Sequence, residues 1–219
     1  MDLWEIEREL SAEGYLTICG VDEAGRGPLA GPVFAASVIL PFGVCLPGLN
    51  DSKKLSGKTR ARLYDEIIKT ALAYGVASAD HTEVDSLNIL NATFLAMKRA
   101  VGMLAAAPDI ALIDGNRDPR LGITGRCIVG GDGKSASIAA ASILAKVSRD
   151  AYMLEIAQKY PQYGFEKHKG YGTKLHYEKL LEFGPSEIHR ATFLRKFEEA
   201  AKWTRGSAGN GAKKKPSCS

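Results

Sequence analysis

The sequence predicts an α/β domain built on a mixed five-stranded sheet flanked by helices, and three observations carry that expectation. Two strand-like runs near the start are close enough to pair as a hairpin, and apolar strands then alternate with stretches of helical period. The length, 219 residues with 45% hydrophobic and 25% charged side chains, suffices for one sizeable core.

Residues 15–21 read as a strand and residues 33–40 as its partner, joined by a Gly- and Pro-rich link from Ala24 to Pro32. After Asn50-Asp51-Ser52-Lys53-Lys54-Leu55, Ser56 is suited to cap a helix reaching about residue 72, with Ala61, Leu63, Ile67, Ile68 and Ala71 as its apolar stripe. A strand at 73–79 follows, then a helix over about 88–106 with Leu90, Phe94, Leu95, Met97, Val101 and Leu104 at helical spacing. Two short strands come next, at 110–115 and at 126–129, the second running into Gly130-Gly131-Asp132-Gly133. The Ala-, Ile- and Leu-rich stretch 135–158 predicts a long, largely buried helix that Pro161 stops. A loop at 163–173, rich in glycine, aromatic and basic residues, and helical patterns at 174–183 and 191–203 complete a domain over 1–203, whose C-terminal helical region begins near residue 160. Residues 204–219 show no apolar periodicity and read as a disordered basic tail.

Composition removes several classes of function. No run of apolar residues is long enough to span a bilayer, and the opening Met1-Asp2-Leu3-Trp4-Glu5 is acidic and amphipathic, so no membrane association and no secretory signal are expected. Cys19, Cys45, Cys127 and Cys218 lack zinc-site spacing and read as reduced thiols, which makes the cytoplasm the expected compartment. The four histidines show no zinc spacing either, and neither a P-loop nor a correctly placed dinucleotide fingerprint occurs. Lys and Arg exceed Asp and Glu by 29 − 25 = 4, a weak argument for a polyanionic partner, but the last third concentrates the basic residues.

Four acidic residues stand out by context. Asp22 and Glu23 follow an apolar strand directly, Asp114 tips another, and Asp132 lies between glycines where a strand passes into a helix. Each alone could be a turn former or a helix cap. Together they bring like charges to the ends of core strands, an arrangement that costs desolvation unless a dication compensates, and oxygen-only ligands favour magnesium or manganese. Neighbours on a regular strand point to opposite faces, so Asp22 and Glu23 could share one centre only if the strand ended or bulged there. The following Gly25-Arg26-Gly27-Pro28 supplies residues suited to that irregularity.

The run Gly20-Val21-Asp22-Glu23-Ala24-Gly25-Arg26-Gly27-Pro28-Leu29-Ala30-Gly31-Pro32-Val33 closely resembles the opening signature of ribonuclease HII. Asp51-Ser52-Lys53-Lys54-Leu55-Ser56, the stretch from Ser137 to Asp150, His168-Lys169-Gly170-Tyr171-Gly172-Thr173, Gly184-Pro185-Ser186 and His189-Arg190 agree with that family in order, so the resemblance covers residues 20–193. Only the N-terminal helix and the basic tail lie outside it.

The resemblance implies a ribonuclease H-like fold whose catalytic, metal-binding carboxylates are Asp22, Glu23, Asp114 and Asp132. It implies an endonuclease that cuts the RNA strand of RNA–DNA hybrids, and duplex DNA 5′ of a single embedded ribonucleotide, leaving 3′-hydroxyl and 5′-phosphate ends. Two ions, Mn2+ or Mg2+, would be held with Asp22 shared, Asp132 on the side of the attacking water, and Glu23 and Asp114 on the leaving-group side. Backbone groups of Gly25, Arg26 and Gly27 are expected to read the 2′-hydroxyl, and Tyr171 the junction from RNA to DNA. Lys53, Lys146, Arg149, His189, Arg190 and Lys196 are candidate phosphate contacts, Lys53 and Arg190 among the substrate-binding set, although Lys146 and Arg149 could equally partner Asp150 within their helix. The expected partners are hybrid and ribonucleotide-containing duplex, with the protein a monomer. Another two-metal nuclease of the same fold, or a silent hybrid-binding module, stays open at this point; the full carboxylate set argues against the silent module.

Overall fold

Strands β1 (Ile18–Ala24), β2 (Val33–Ile39), β3 (Ala73–Ala79), β4 (Ile110–Asp114) and β5 (Thr124–Ile128) form one sheet in the order β3-β2-β1-β4-β5, and the computed structural model describes residues 2–52 and 55–195. β1 pairs antiparallel with β2 and β2 with β3, while β1–β4 and β4–β5 are parallel, giving the mixed sheet that the alternation of strands and helices predicts.

Helices α1 (Glu5–Ala12), α2 (Gly57–Thr70), α3 (His81–Leu87), α4 (Ile89–Gly102) and α5 (Ala136–Lys159) surround that sheet, and α6 (Phe165–His168) and α7 (Lys174–Phe183) follow α5. Period two sorts each strand between two apolar layers. Cys19, Val21, Val33, Ala35, Ala111 and Ile113 pack with Ala92, Ala96, Met97 and Ala100 of α4 on one face. Ala36 and Val38 pack on the other with Leu63 and Ile67 of α2 and the alanine-rich half of α5. α5 lies so close because Gly20 has no side chain: a Cβ there would stand 2.0 Å from the carbonyl carbon of Ser137. A third cluster, from Leu29, Met153, Tyr163, Phe165, Leu180 and Ile188, joins the C-terminal helices to the far end of α5.

Several expectations change at the boundaries. β1 begins three residues later than periodicity suggests and neither ends nor bulges at Asp22 and Glu23; its register with β2 runs unbroken through Asp22↔Ala36, Glu23↔Ala35 and Ala24↔Phe34. α3 was not anticipated, being too short to show a period; a reciprocal capping box between Asp80 and Glu83 starts it. Asn88, in a left-handed conformation at φ 67°, ends it and caps α4, accepting from the amides of Leu90 and Asn91. The loop expected at 163–173 contains the single turn α6. Helical backbone resumes at 191–195; the remainder of the helix expected to residue 203, and the tail, lie outside the described residues. Among the described residues no helix is long and apolar enough to cross a membrane.

Candidate active site

The pleat places Asp22 on the α5 face of β1 and Glu23 on the α4 face, and the two still border a common space. The reason is that parallel pairing between β1 and β4 stops at Val21↔Ile113, so the sheet parts at the level of Asp22. Into that notch Asp114 projects from the end of β4. Glu23 and Asp114 line a cavity of about 260 Å³ with Arg26, Thr93, Phe94, Asn116 and Arg117. With Asp22 they also line a second one, about 450 Å³, bordered by Gly25, Gly27, Ser52, Arg60, Lys146 and Tyr171. Adjacent carboxylates therefore meet around a strand end, with no bulge required.

Asp132, in a 3₁₀ turn (Gly131–Gly133) between β5 and α5, lines neither cavity but comes within electrostatic reach of Asp22. That turn is fastened to β4, because the amide of Gly131 donates to Asp114 Oδ1 at 2.7 Å. Asp22 and Asp132 are 3% and 6% exposed, so both carboxylates have given up most of their water. Burial pushes the Asp22 carboxyl well above the usual carboxylate range, and the negative neighbours Glu23, Asp114 and Asp132 push the same way, against one bond accepted from the Glu23 amide. Among the described residues, no three His, Cys, Asp or Glu side chains are gathered tightly enough to cage one ion by themselves.

The Gly-Arg-Gly loop is held from behind. Arg190 is fully buried and donates to three carbonyls, those of Gly25 (2.7 Å), Arg26 (2.9 Å) and Gly31 (2.9 Å). Arg149, also fully buried, donates to Pro32 (3.1 Å) and Lys169 (3.1 Å) and lies against Gly25, where a Cβ would come within 2.0 Å of its Nε. Gly25 itself has φ +96°, so this position requires glycine on two counts. Arg26 extends the other way, its guanidinium 3.4 Å from Glu23 Oε1.

Tyr171 stands over this loop, 42% exposed, with its ring 3.7 Å from where a Cβ of Gly27 would be and Arg149 5.8 Å from its centroid. A buried histidine group supports it. His176 Nδ1 bonds the Tyr171 carbonyl at 2.9 Å, and its ring stacks on His168 at 4.4 Å. Burial pushes both His176 and His189 down to about 4, so the rings are neutral at physiological pH.

Of the residues singled out in the sequence, the structure gathers Asp22, Glu23, Asp114, Gly25, Arg26, Gly27 and Tyr171 around the two cavities and brings Asp132 within electrostatic reach of Asp22. Sequence reasoning misread Arg190, Arg149 and His189 as phosphate contacts: all three are buried and bonded inside the protein, which leaves none of them a surface to present. Lys146 pairs with Asp150 at 2.8 Å, the intrahelical alternative, while lining the second cavity. Lys53 and Lys196 lie outside the described residues. Arg60, Ser52, Ser142, Asn116 and Arg117 went unnoticed as cavity residues. Arg60 sits on a helix stripe like any solvated base, and only the fold turns it towards the carbonyls of Ser52 and Leu55.

The five-stranded mixed sheet flanked by helices, with Asp22 and Glu23 on its central strand, has the ribonuclease H-like fold seen in solved ribonuclease H2. The model of one family, ribonuclease HII, matches residues 19–196, and the chain belongs to that family. It is an endoribonuclease acting on RNA–DNA hybrids. Ribonuclease HII of Caldicellulosiruptor bescii is 59% identical over 88% of this chain and 93% of its own length. That of Burkholderia mallei is 60% identical over 80% and 82%. Among solved structures, ribonuclease H2 of Pyrococcus horikoshii superposes with a TM-score of 0.71 at 27% identity, over 85% of this chain and 99% of that one. A ribonuclease HII from Archaeoglobus fulgidus, solved in complex with PCNA, gives 0.63 at 26% identity, over 80% and 94%.

Proposed function

We propose that the enzyme nicks duplex DNA on the 5′ side of a single ribonucleotide as well as cutting hybrids, with two divalent cations, Mn2+ or Mg2+, held by Asp22, Glu23, Asp114 and Asp132. The observation that carries this reading is the Asp22 carboxyl, buried on the central strand and facing three further negative groups. Such a cluster is unfavourable by itself and becomes favourable when cations share it.

The donor set suits that role. All four groups offer oxygen, as hard dications require, and magnesium in particular binds through few carboxylates while keeping waters and substrate phosphates in its shell. That no three acidic side chains among the described residues gather tightly enough to cage an ion is compatible with such a shell. Two ions held there by Asp22, Glu23, Asp114 and Asp132 would supply activation of water, orientation of the scissile phosphate and stabilisation of the departing oxygen. Asp22 would be common to both, Asp132 on the water's side, and Glu23 with Asp114 on the leaving-group side.

The remaining residues orient and select. With the carbonyls of Gly25 and Arg26 taken by Arg190, the amides of the loop remain as its donors to a 2′-hydroxyl, the group that distinguishes ribose from deoxyribose. Tyr171, beside Gly27, offers an exposed ring to the sugar or base at the junction. Work on replicating or repaired DNA, as a monomer, in a cytoplasm that keeps Cys19, Cys45 and Cys127 as thiols, belongs to the same reading.

A duplex with one ribonucleotide tests it. Incubated with Mn2+ or Mg2+, it should be nicked 5′ of the ribose to give 3′-hydroxyl and 5′-phosphate ends, and chelator should stop the reaction. Intact duplex under both metals, with long hybrids still cut, would confine the enzyme to hybrids.

A further inference from the structure

α1 lies outside the span that matches the ribonuclease HII family, yet it sends one carboxylate to the helix that follows Asp132. Glu7 is 1% exposed; its Oε1 accepts from the Ser135 hydroxyl at 2.7 Å and from the Ser137 amide at 3.0 Å. The carbonyl of Leu3 accepts from the Ala136 amide at 2.8 Å, and Ser135 Oγ, so oriented, accepts from Ile138 at 3.2 Å. The first amides of α5 are thus satisfied by the N-terminal segment or by a hydroxyl it holds. A negative side chain at that end also complements the helix dipole.

This end of α5 is where Asp132 is set. The Ser135 amide donates to the Gly131 carbonyl at 2.8 Å, while Gly131 donates to Asp114. The turn bearing Asp132 is therefore strung between two carboxylates, Asp114 on β4 and Glu7 on α1. Ser137 also rests on Gly20, two residues before Asp22, without space for a methyl group. A slide of the α5 terminus by a few tenths of an ångström changes the separation of Asp132 from Asp22.

We propose that Glu7 is a positioning residue, fixing Asp132 relative to Asp22 and so tuning the affinity of the site for its divalent cation. This rests on the reading of Asp132 as a metal-binding carboxylate. Glu7→Ala and Glu7→Gln should be compared in the full chain with Asp132→Asn as reference, by Mn2+ titration followed both through the electron paramagnetic resonance of free Mn2+ and through hybrid cleavage. For Glu7→Ala the Mn2+ needed for half-saturation should rise roughly 10-fold, with the KM for hybrid unchanged and excess Mn2+ restoring cleavage. Glu7→Gln keeps an acceptor at Oε1 and should fall between; it carries the test should the alanine variant fail to fold. Parental Mn2+ curves in the folded variants, whatever their melting temperatures, overturn the proposal. Parental Mn2+ binding and cleavage in Asp132→Asn would instead overturn the underlying reading of Asp132.

Discussion

The Nε2 atoms of His176 and His189 stand 3.0 Å apart inside the protein, a separation at which one ring must donate and the other accept. Their outer partners decide which. His176 Nδ1 faces a carbonyl and must carry hydrogen, so its Nε2 accepts; His189 Nδ1 receives the Ser186 amide at 2.9 Å, so its Nε2 donates. One directed chain of bonds thus runs from Ser186 to the Tyr171 carbonyl, and it exists only while both rings are neutral.

Stability should consequently depend on pH. Both histidines lie at about 4 when folded against an ordinary 6.5, so the unfolded chain binds more protons throughout that window. The stabilisation from the neutral pair is present above pH 6.5 and is lost as the pH falls towards 4. Urea unfolding across this range should show a slope that is shallower in His189→Gln. Equal slopes in the two proteins would remove the pair as its source.

Asp22→Asn should abolish cleavage, by about three orders of magnitude or more if the shared metal ligand is lost, while hybrid binding persists. The same change relieves a buried carboxylate of three negative neighbours, so without metal the variant should be more stable than its parent by about 1 kcal/mol or more. Thermal melts in chelator check the second half; a lower melting temperature contradicts the electrostatic account of this cluster.

Arg190→Met should destabilise by about 3 kcal/mol or more, because three loop carbonyls lose their donor inside the protein. Since Arg190 touches no solvent, the salt dependence of hybrid binding should keep its slope. A slope reduced by about one unit would restore the phosphate-contact reading.

Tyr171→Ala should lower kcat/KM on single-ribonucleotide duplexes by about tenfold, within the range for one lost stacking contact, and affect long hybrids less. Both substrates should be assayed at one salt concentration. Equal losses on the two would assign the ring a packing role.

Much of this was readable in the chain itself. Asp114 at the tip of an apolar run marks the end of β4 because apolar runs and their terminators are local properties, whereas Asp22 and Glu23, which also follow an apolar run, lie inside β1. Helices α2 and α4 showed their faces through 3.6-residue spacing and α5 showed itself as an unbroken Ala-, Ile- and Leu-rich run, while α3 and α6 were too short to do either. Arg190, Arg149 and His189 were misjudged for a different reason. A charged or polar residue in a sequence looks solvated, and whether it is depends on partners more than a hundred residues away, as Arg190 is from Gly25.

The amino-acid order by itself determined the layered α/β class and the hairpin, and it singled out four acidic positions beside apolar runs or glycines, since periodicity and its terminators are local. Tertiary structure alone decided that β4 leaves β1 at Val21, which lets Asp22 and Glu23 share a space from opposite faces. It also decided that α1 reaches α5 through Glu7 and that two buried arginines hold the loop. These depend on desolvation and on distances between segments remote in sequence, quantities that acquire values only when the chain is folded.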